Sequence, residues 1–472
     1  MQIKKIYASE IAKLTSNVYT GGGDDDTDAI QGVLDMAKDE NTGVYLIMDG
    51  AALVREIKLY SNTTIECMTS DCGFYQISGM DRSLIKTGNS DLRRIKTKNI
   101  SILGGTYHHN GQNQDHDDPR FILDISMENH EDIIAEETPE GTKYRYYHAG
   151  DFNRTKGFLK QSNICMEFYG VENLLVRDVT IRDFRTYALM VGCFKNVTVQ
   201  NVWLDLPYGT RGNQDGFHFW GPGQFLKVLN CGGKVGDDVI NVGPDERDKE
   251  SSITDVLIDG IMMDDGEQAV RLLTRGIGRL DRVTIRNITG IYRSYGFYID
   301  PWMVDSTVGN FGNIFIENVD LKAAKNTYDY HPPVLFSIGG NIETLTLKNI
   351  RHHNSVDSRP LIEIGLPFYE THPSNFAEYK MPVEQKIQNI IIDGLEITEQ
   401  NGEPEDTNYI TVHDKIDNMV LKNVIVIKNQ KENGELLHFY PKGEIENFVS
   451  ENIHTKGLKT ITNDDSKIKN QF

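Results

Sequence analysis

The residues in this chain best suited to chemistry are three carboxylates about one repeat apart: Asp215 in Asn213-Gln214-Asp215-Gly216, and the pair in Gly236-Asp237-Asp238. Like charges a few ångströms apart raise one another's pKa. That effect can keep one carboxyl protonated as an acid while another stays ionised as a base, the split that glycoside hydrolysis needs. Acidic clusters elsewhere read as solvated surface or calcium ligands; this one falls at matching points of a repeat.

The repeat is what must position them. A pattern of apolar-x-apolar-x-(Asn/Asp)-apolar runs through Val176-Arg-Asp178-Val179, Val199-Gln-Asn201-Val202 and Val228-Leu-Asn230-Cys231. It continues at Ile258-Asp259, Ile285-Arg-Asn287-Ile288, Ile316-Glu-Asn318-Val319, Leu347-Lys-Asn349-Ile350, Ile392-Asp393, Leu421-Lys-Asn423-Val424 and Ser450-Glu-Asn452-Ile453. The intervals are mostly about 23 to 31 residues, as in stacked-repeat folds. The longest, Asn349 to Asp393, reads as an ordinary turn of the coil carrying an insertion. Alternation and β-branched side chains indicate strands, and no segment sustains a helical period. A helix-free coil of that length predicts an all-β, right-handed, single-stranded parallel β-helix, 1–472 as one solenoid domain. The Asn or Asp at each strand end is then a turn residue that tolerates left-handed backbone.

At the N-terminus (1–60), Gly21-Gly-Gly-Asp24-Asp-Asp-Thr27-Asp28-Ala29-Ile30-Gln31 passes from a turn into an amphipathic helix with Ile30, Val33, Leu34 and Met36. Asp26 or Thr27 is placed to cap it, and the ligand spacing of an EF-hand calcium loop is absent. A capping helix hides the open end of a β-stack. Two loop insertions, 108–163 and 366–386, interrupt the pattern. They carry the aromatics Phe121, Tyr144, Tyr146, Tyr147 and Phe152, then Phe368, Tyr369, Phe376 and Tyr379, which suit either sugar stacking or packing on the outer wall.

The net charge of −20 disfavours nucleic acid, and no apolar run is long enough to span a bilayer. Any polyanionic substrate therefore needs a locally positive groove. The first residues carry no signal-peptide core, which leaves cytoplasm, a phage particle, or secretion with the leader removed. Of five cysteines, Cys193 and Cys231 read as small apolar filling, and Cys67 and Cys72 are close enough in sequence to pair.

Asn213-Gln214-Asp215 followed by Gly236-Asp237-Asp238 resembles the Asn-Thr-Asp and Gly-Asp-Asp signatures of glycoside hydrolase family 28, the polygalacturonase family. Gly104-Gly105-Thr106-Tyr107 with Asn110-Gly111-Gln112 is similar to its early Gly-Gly … Asn-Gly stretch, and Asp24–Ala29 resembles the cap of the wider pectate-lyase-like superfamily. The resemblance covers most of the chain and implies a β-helical hydrolase of O-glycosyl bonds. Two positions depart from it. Gln268 stands where the family has the histidine of Gly-His-Gly, and Tyr298-Ile299-Asp300 stands where it has Arg-Ile-Lys. The basic residues lost there are those that recognise a sugar carboxylate, so galacturonate specificity is not implied.

Strand parity reads the same surface independently. With Phe217, Phe219, Ile240, Val242, Val270, Leu272, Phe297 and Ile299 inward, the residues His218, Trp220, Asn241, Arg271, Tyr298, Asp300 and Trp302 face outward. Asp215 and Asp238 have inward parity and belong at strand entrances, where a turn can re-aim them. The expected mechanism is inverting hydrolysis. Asp237 is the general acid, Asp215 and Asp238 hold and deprotonate the water, and the carboxyls stand at the wide separation of inverting enzymes. Asn213, His218, Trp220, Asn241, Gln268, Arg271, Tyr298, Asp300 and Trp302 are expected to bind a carbohydrate, with no metal and no cofactor. The rival readings are a phage tailspike depolymerase, which would be a homotrimer, a polysaccharide lyase or epimerase, and a non-catalytic glycan-binding β-helix.

Overall fold

The computed structural model describes residues 1–80, 82–114, 133–138, 141–146, 163–210, 213–246, 250–274, 276–301, 309–325, 333–354, 361–365, 385–399, 408–427 and 434–472. The chain divides into two compact units, Met1–Asp237 and Asp238–Phe472. Each is built almost wholly of parallel strands wound as a right-handed β-helix.

In the first unit the inward apolar positions stack coil upon coil. Leu46 pairs with Ile65, Ile65 with Ile102, Ile102 with Val176, Val176 with Val199, and Val199 with Val228. All six are buried. The second unit repeats the arrangement with Ile258, Ile285, Ile316, Leu347, Ile392 and Leu421 as successive partners. Leu347 pairs directly with Ile392, so the longest repeat interval is a single coil with an insertion. Within each unit every level adds apolar area to the core, and burial of that area is the main force holding its coils together.

The turn after each inward pair is left-handed, as the Asn/Asp pattern predicts. Asp178, Asn201, Asn230, Asn287, Asn318, Asn349, Asn423 and Asn452 all have φ between 50° and 59°. In the coils of Asp259 and Asp393 the same turn position, level with Asn287 and Asn349, is filled by Gly260 and Gly394, and the aspartate lies one residue before it. The side-chain amides then bond up the stack: Asn287 donates to Asp259, Asn318 to Asn287, and Asn349 to Asn318.

The helix Thr27–Leu34 packs Ile30, Val33 and Leu34 on the first strands of its unit, while Met36 lies beyond it and is exposed. Its cap differs from expectation. Asp26 makes no capping bond, because its carboxylate accepts from the Lys13 and Leu14 amides. Asp25 instead accepts from the Thr27 amide at 2.9 Å. Asp24 pairs with Lys13, and Asp25 and Asp28 with Arg55, so these acids are held by cations of the chain. Within the 108–163 insertion, Ile133–Thr138 and Gly141–Tyr146 form an antiparallel pair. Its aromatic side chains, and Phe368, Tyr369, Phe376 and Tyr379 of the second insertion, lie outside the described residues. All five cysteines are buried, and Cys67 and Cys72 are not joined in a disulfide. Burial pushes the Cys67 thiol up to about 12. Among the described residues no helix is long and apolar enough to cross a membrane.

Candidate active site

In the first unit Asp215 lies just before the strand Phe217–Lys234, at the strand entrance its parity requires. Two backbone bonds fix this entrance: the Ala188 amide donates to the Asp215 carbonyl and the Gly236 amide to the Gln214 carbonyl, each at 2.9 Å. Asn213 takes left-handed backbone, φ 60°, and its amide donates to Asp237 Oδ2 at 3.2 Å. A carboxylate oxygen of Asp215 thus lies within 4.8 Å of one of Asp237. Asp215 is buried and Asp237 partly exposed, so the two acids face different surroundings.

The entrance turn that re-aims Asp215 brings it toward Asp237, which a count of strand parity does not reveal. A single water hydrogen-bonded to both carboxylates fits the gap.

By parity His218 and Trp220 are expected to face out of the coil; both are buried. His218 Nδ1 lies 2.8 Å from Asp215 Oδ2, and its ring stacks on Tyr187 with centroids 4.4 Å apart. It is the partner of a carboxylate rather than an exposed histidine. Trp220 stacks on Tyr169 at 5.9 Å within an apolar cluster that includes Leu92, Ile164, Tyr187 and Met190. Gly192 lies between them in the register and makes the stack possible; a Cβ there would sit 2.7 Å from the Tyr169 ring. Trp220 therefore builds the wall behind His218.

In the second unit Asp238 opens the strand Asp238–Gly243. Despite inward parity, its Oδ2 accepts from Asn241 Nδ2 at 3.2 Å and from Arg271 at 3.3 Å, both residues of outward parity. Asn241, Arg271 and Tyr298 are direct register partners on successive coils, as expected. The Arg271 guanidinium lies over the Tyr298 ring at 5.6 Å, and Tyr298 stacks on Tyr295 at 4.5 Å. Gln268 is buried in register with Asp238. Asp300 is buried, and burial together with the nearby Glu363 carboxyl holds its pKa well above the usual carboxylate range. Trp302 lies outside the described residues. Sequence reading did not single out Tyr187 or Glu363; Glu363 sits alone between Ile362 and Ile364, an alternation that looks like any solvent-facing strand position.

Carboxylates so placed suit either a water in need of a base or a hard, oxygen-preferring cation. No protein-family model matches the chain. It is similar to a polygalacturonase of Medicago sativa, 26% identical over 199 residues, which cover 40% of this chain and 44% of that protein. A polygalacturonase of Brassica napus is 26% identical over 176 residues, covering 35% and 41%. The matches thus span less than half the length of either relative. Among solved structures, the tailspike protein of E. coli bacteriophage HK620 in complex with a pentasaccharide superposes with a TM-score of 0.53, at 8% identity, covering 97% of this chain and 78% of that one. The N-terminal fragment of bacteriophage Phi29 gene product 12 gives 0.51 at 12% identity, covering 97% and 71%. A family 28 exopolygalacturonase of Yersinia enterocolitica gives 0.48 at 14% identity, covering 99% and 77%. The likenesses above 0.5 bear on the fold, and the fold is the one the repeat predicts; the sequence matches add that this chain's relatives include polygalacturonases.

Proposed function

We propose that the protein is a glycoside hydrolase acting on a poly- or oligosaccharide, with Asp237 as general acid and Asp215 and Asp238 holding and deprotonating the attacking water. The observation that carries this reading is the approach of Asp215 and Asp237 to within 4.8 Å, with Asp238 the next residue in the chain. Asp237 is the more accessible of the first two, which suits the group that must reach a leaving oxygen. His218 donates to Asp215 or exchanges its proton there, and Tyr187 fixes the ring plane. Asn241 and Arg271 aim the Asp238 carboxylate. Asn213, Gln268, Tyr298, Asp300 and Trp302 complete the proposed sugar-binding set, with Trp220 as support.

Inversion is the proposed stereochemical course, from the likeness to polygalacturonases. The alternative course is retention, with Asp215 as nucleophile. Proton NMR of the first anomer formed from a galacturonide or galactoside oligomer separates the two. The test of the assignment itself is Asp237→Asn, which preserves shape but removes the transferable proton. Turnover should fall at least about 10²-fold while binding survives. A mutant that turns over like the wild type would place the acid elsewhere.

A further inference from the structure

The chain carries a net charge of −20, yet 86–98 holds five Lys or Arg against one Asp. These cations sit on and beside a loop, 88–96, that joins the strands Ile85–Thr87 and Thr97–Leu103 of the first unit. The loop is fixed at three points. Leu92 is buried in the apolar cluster of Tyr169, Tyr187, Met190 and Trp220, and the rings of Tyr187 and Trp220 in turn contact His218. The Lys96 amide donates to the Gly170 carbonyl at 2.8 Å. Gly170, at φ 69°, admits the loop, since a Cβ there would stand 2.4 Å from the Arg94 carbonyl oxygen. Asp91, the one acid, is turned onto backbone: its Oδ1 accepts from the Arg93 and Arg94 amides at 2.9 and 3.1 Å.

The side chains of Arg93, Arg94 and Lys96 are left exposed around this foot. Arg94 and Lys96 have no carboxylate partner among the described residues, whereas Arg55, Arg182, Arg286 and Arg351 each pair with one. Beside the loop Glu172 lies in register between Lys98 and Lys195 and pairs with Lys98 at 2.8 Å, so the strip remains net positive. A charge run that is only solvated surface needs no fixed backbone. This one is pinned by Leu92, Asp91 and Gly170 against the wall that carries His218, and cations gathered on a negative chain draw an anion to that place. Arg94 can meet a planar or tetrahedral oxyanion with two donors, and Lys96 adds a mobile point charge.

We propose that Arg94 and Lys96 form a cationic rim of the candidate site and bind an acidic substituent of a glycan, a carboxylate or a sulfate ester, on a residue other than the one cleaved. The proposal rests on the carbohydrate reading of the site, but it is read by binding and not by cleavage. It leaves Arg271 committed to Asp238, so the rim adds affinity for an acidic glycan and not turnover of a fully acidic one. The experiment is calorimetric titration of the full chain at pH 7 with trigalacturonate, its fully methyl-esterified form and a 6-sulfated galactotriose. Replacing both cations, Arg94→Ala with Lys96→Ala, should weaken binding of at least one acidic probe about tenfold or more and leave the ester within about twofold. The acidic probe that loses more identifies the group. Raising salt from about 50 mM to about 0.5 M should weaken that probe at least about threefold in the wild type and little in the double variant. The salt comparison needs no variant, and binding insensitive to salt overturns the proposal. So do equal losses for acid and ester, which would make the loop structural, and acid binding unchanged in the double variant. No binding of either acidic probe at about 1 mM also overturns it, and a single-stranded DNA that binds instead and is lost in the variant would reassign the loop to nucleic acid. Binding without cleavage of any probe leaves the rim standing and removes the hydrolase assignment, so the two failures are distinguishable.

Discussion

The buried acids of this protein differ in what holds them, and each difference can be tested. Asp215 has His218 and Asp238 has Asn241 and Arg271, so truncating a partner leaves an acid in a dry place. His218→Ala is therefore expected to lower turnover by about 10²-fold or more, with a smaller loss for Tyr187→Leu, which only loosens the ring; steady-state kinetics and melting curves check both. Glu363 is governed by burial instead, and its effect on stability has a definite sign. Burial pushes its folded pKa up to about 8, from 4.5 for a glutamate in water. Below about 4.5 both states are protonated and nothing differs. As pH rises, the unfolded chain ionises first, so stability falls, by up to about 1.4 kcal/mol per pH unit, until the folded group ionises near 8. Asp300, shifted in the same direction, adds to the trend. Glu363→Gln should flatten the decline between about pH 5 and 8, as measured by urea unfolding; an unchanged slope would show that Glu363 does not carry it.

At the scale of elements, stability rests on stacked positions with a local signal. Asn318 sits at φ 55°, accepts from Asn349 and donates to Asn287, each at 3.2 Å. Asn318→Ala loses both bonds and places an alanine in left-handed backbone, at a cost of about 1–2 kcal/mol for the backbone alone. Asn318→Gly loses the bonds but not the backbone freedom, so it should lie between wild type and alanine in urea midpoint. A glycine variant less stable than the alanine would mean the turn is not the determinant. These positions were legible because a turn residue and its inward neighbours lie close together in sequence and recur. Parity also placed Asn241, Arg271 and Tyr298 on one face. What parity could not show was cover: His218, Trp220 and Asp300 have outward parity and are nevertheless buried, and Trp220 shares an apolar cluster with Leu92, far away in sequence. Nor could it show that the Asp215 entrance folds toward Asp237, or that Asp25 rather than Asp26 caps the first helix. Both depend on which of several neighbouring donors an aspartate meets.

At the scale of the whole molecule, charge and the fate of one arginine decide what the proposed groove accepts. A net charge of −20 repels a polyanion over a distance set by the Debye length, about 10 Å at 0.1 M salt. Arg271 is the one Lys or Arg of the proposed sugar-binding set, and its guanidinium is already committed to Asp238 and the Tyr298 ring. Gripping a uronate would mean releasing Asp238, the carboxylate proposed to help hold the water. Poor turnover of smooth polygalacturonate is therefore expected, with better turnover of its methyl-esterified form or of a galactose- or rhamnose-containing glycan. Raising salt should narrow the gap by screening the polyanion and leave the neutral substrate unaffected. Arg271→Ala distinguishes the two possible roles of that side chain. If it positions Asp238, kcat falls for neutral and acidic substrates alike. If it binds a sugar carboxylate, KM rises for the acidic one alone. The geometry at Asp238 supports the first outcome. Efficient polygalacturonate turnover, insensitive to salt and undiminished in Arg271→Ala, would mean that a cation from another part of the chain serves the site.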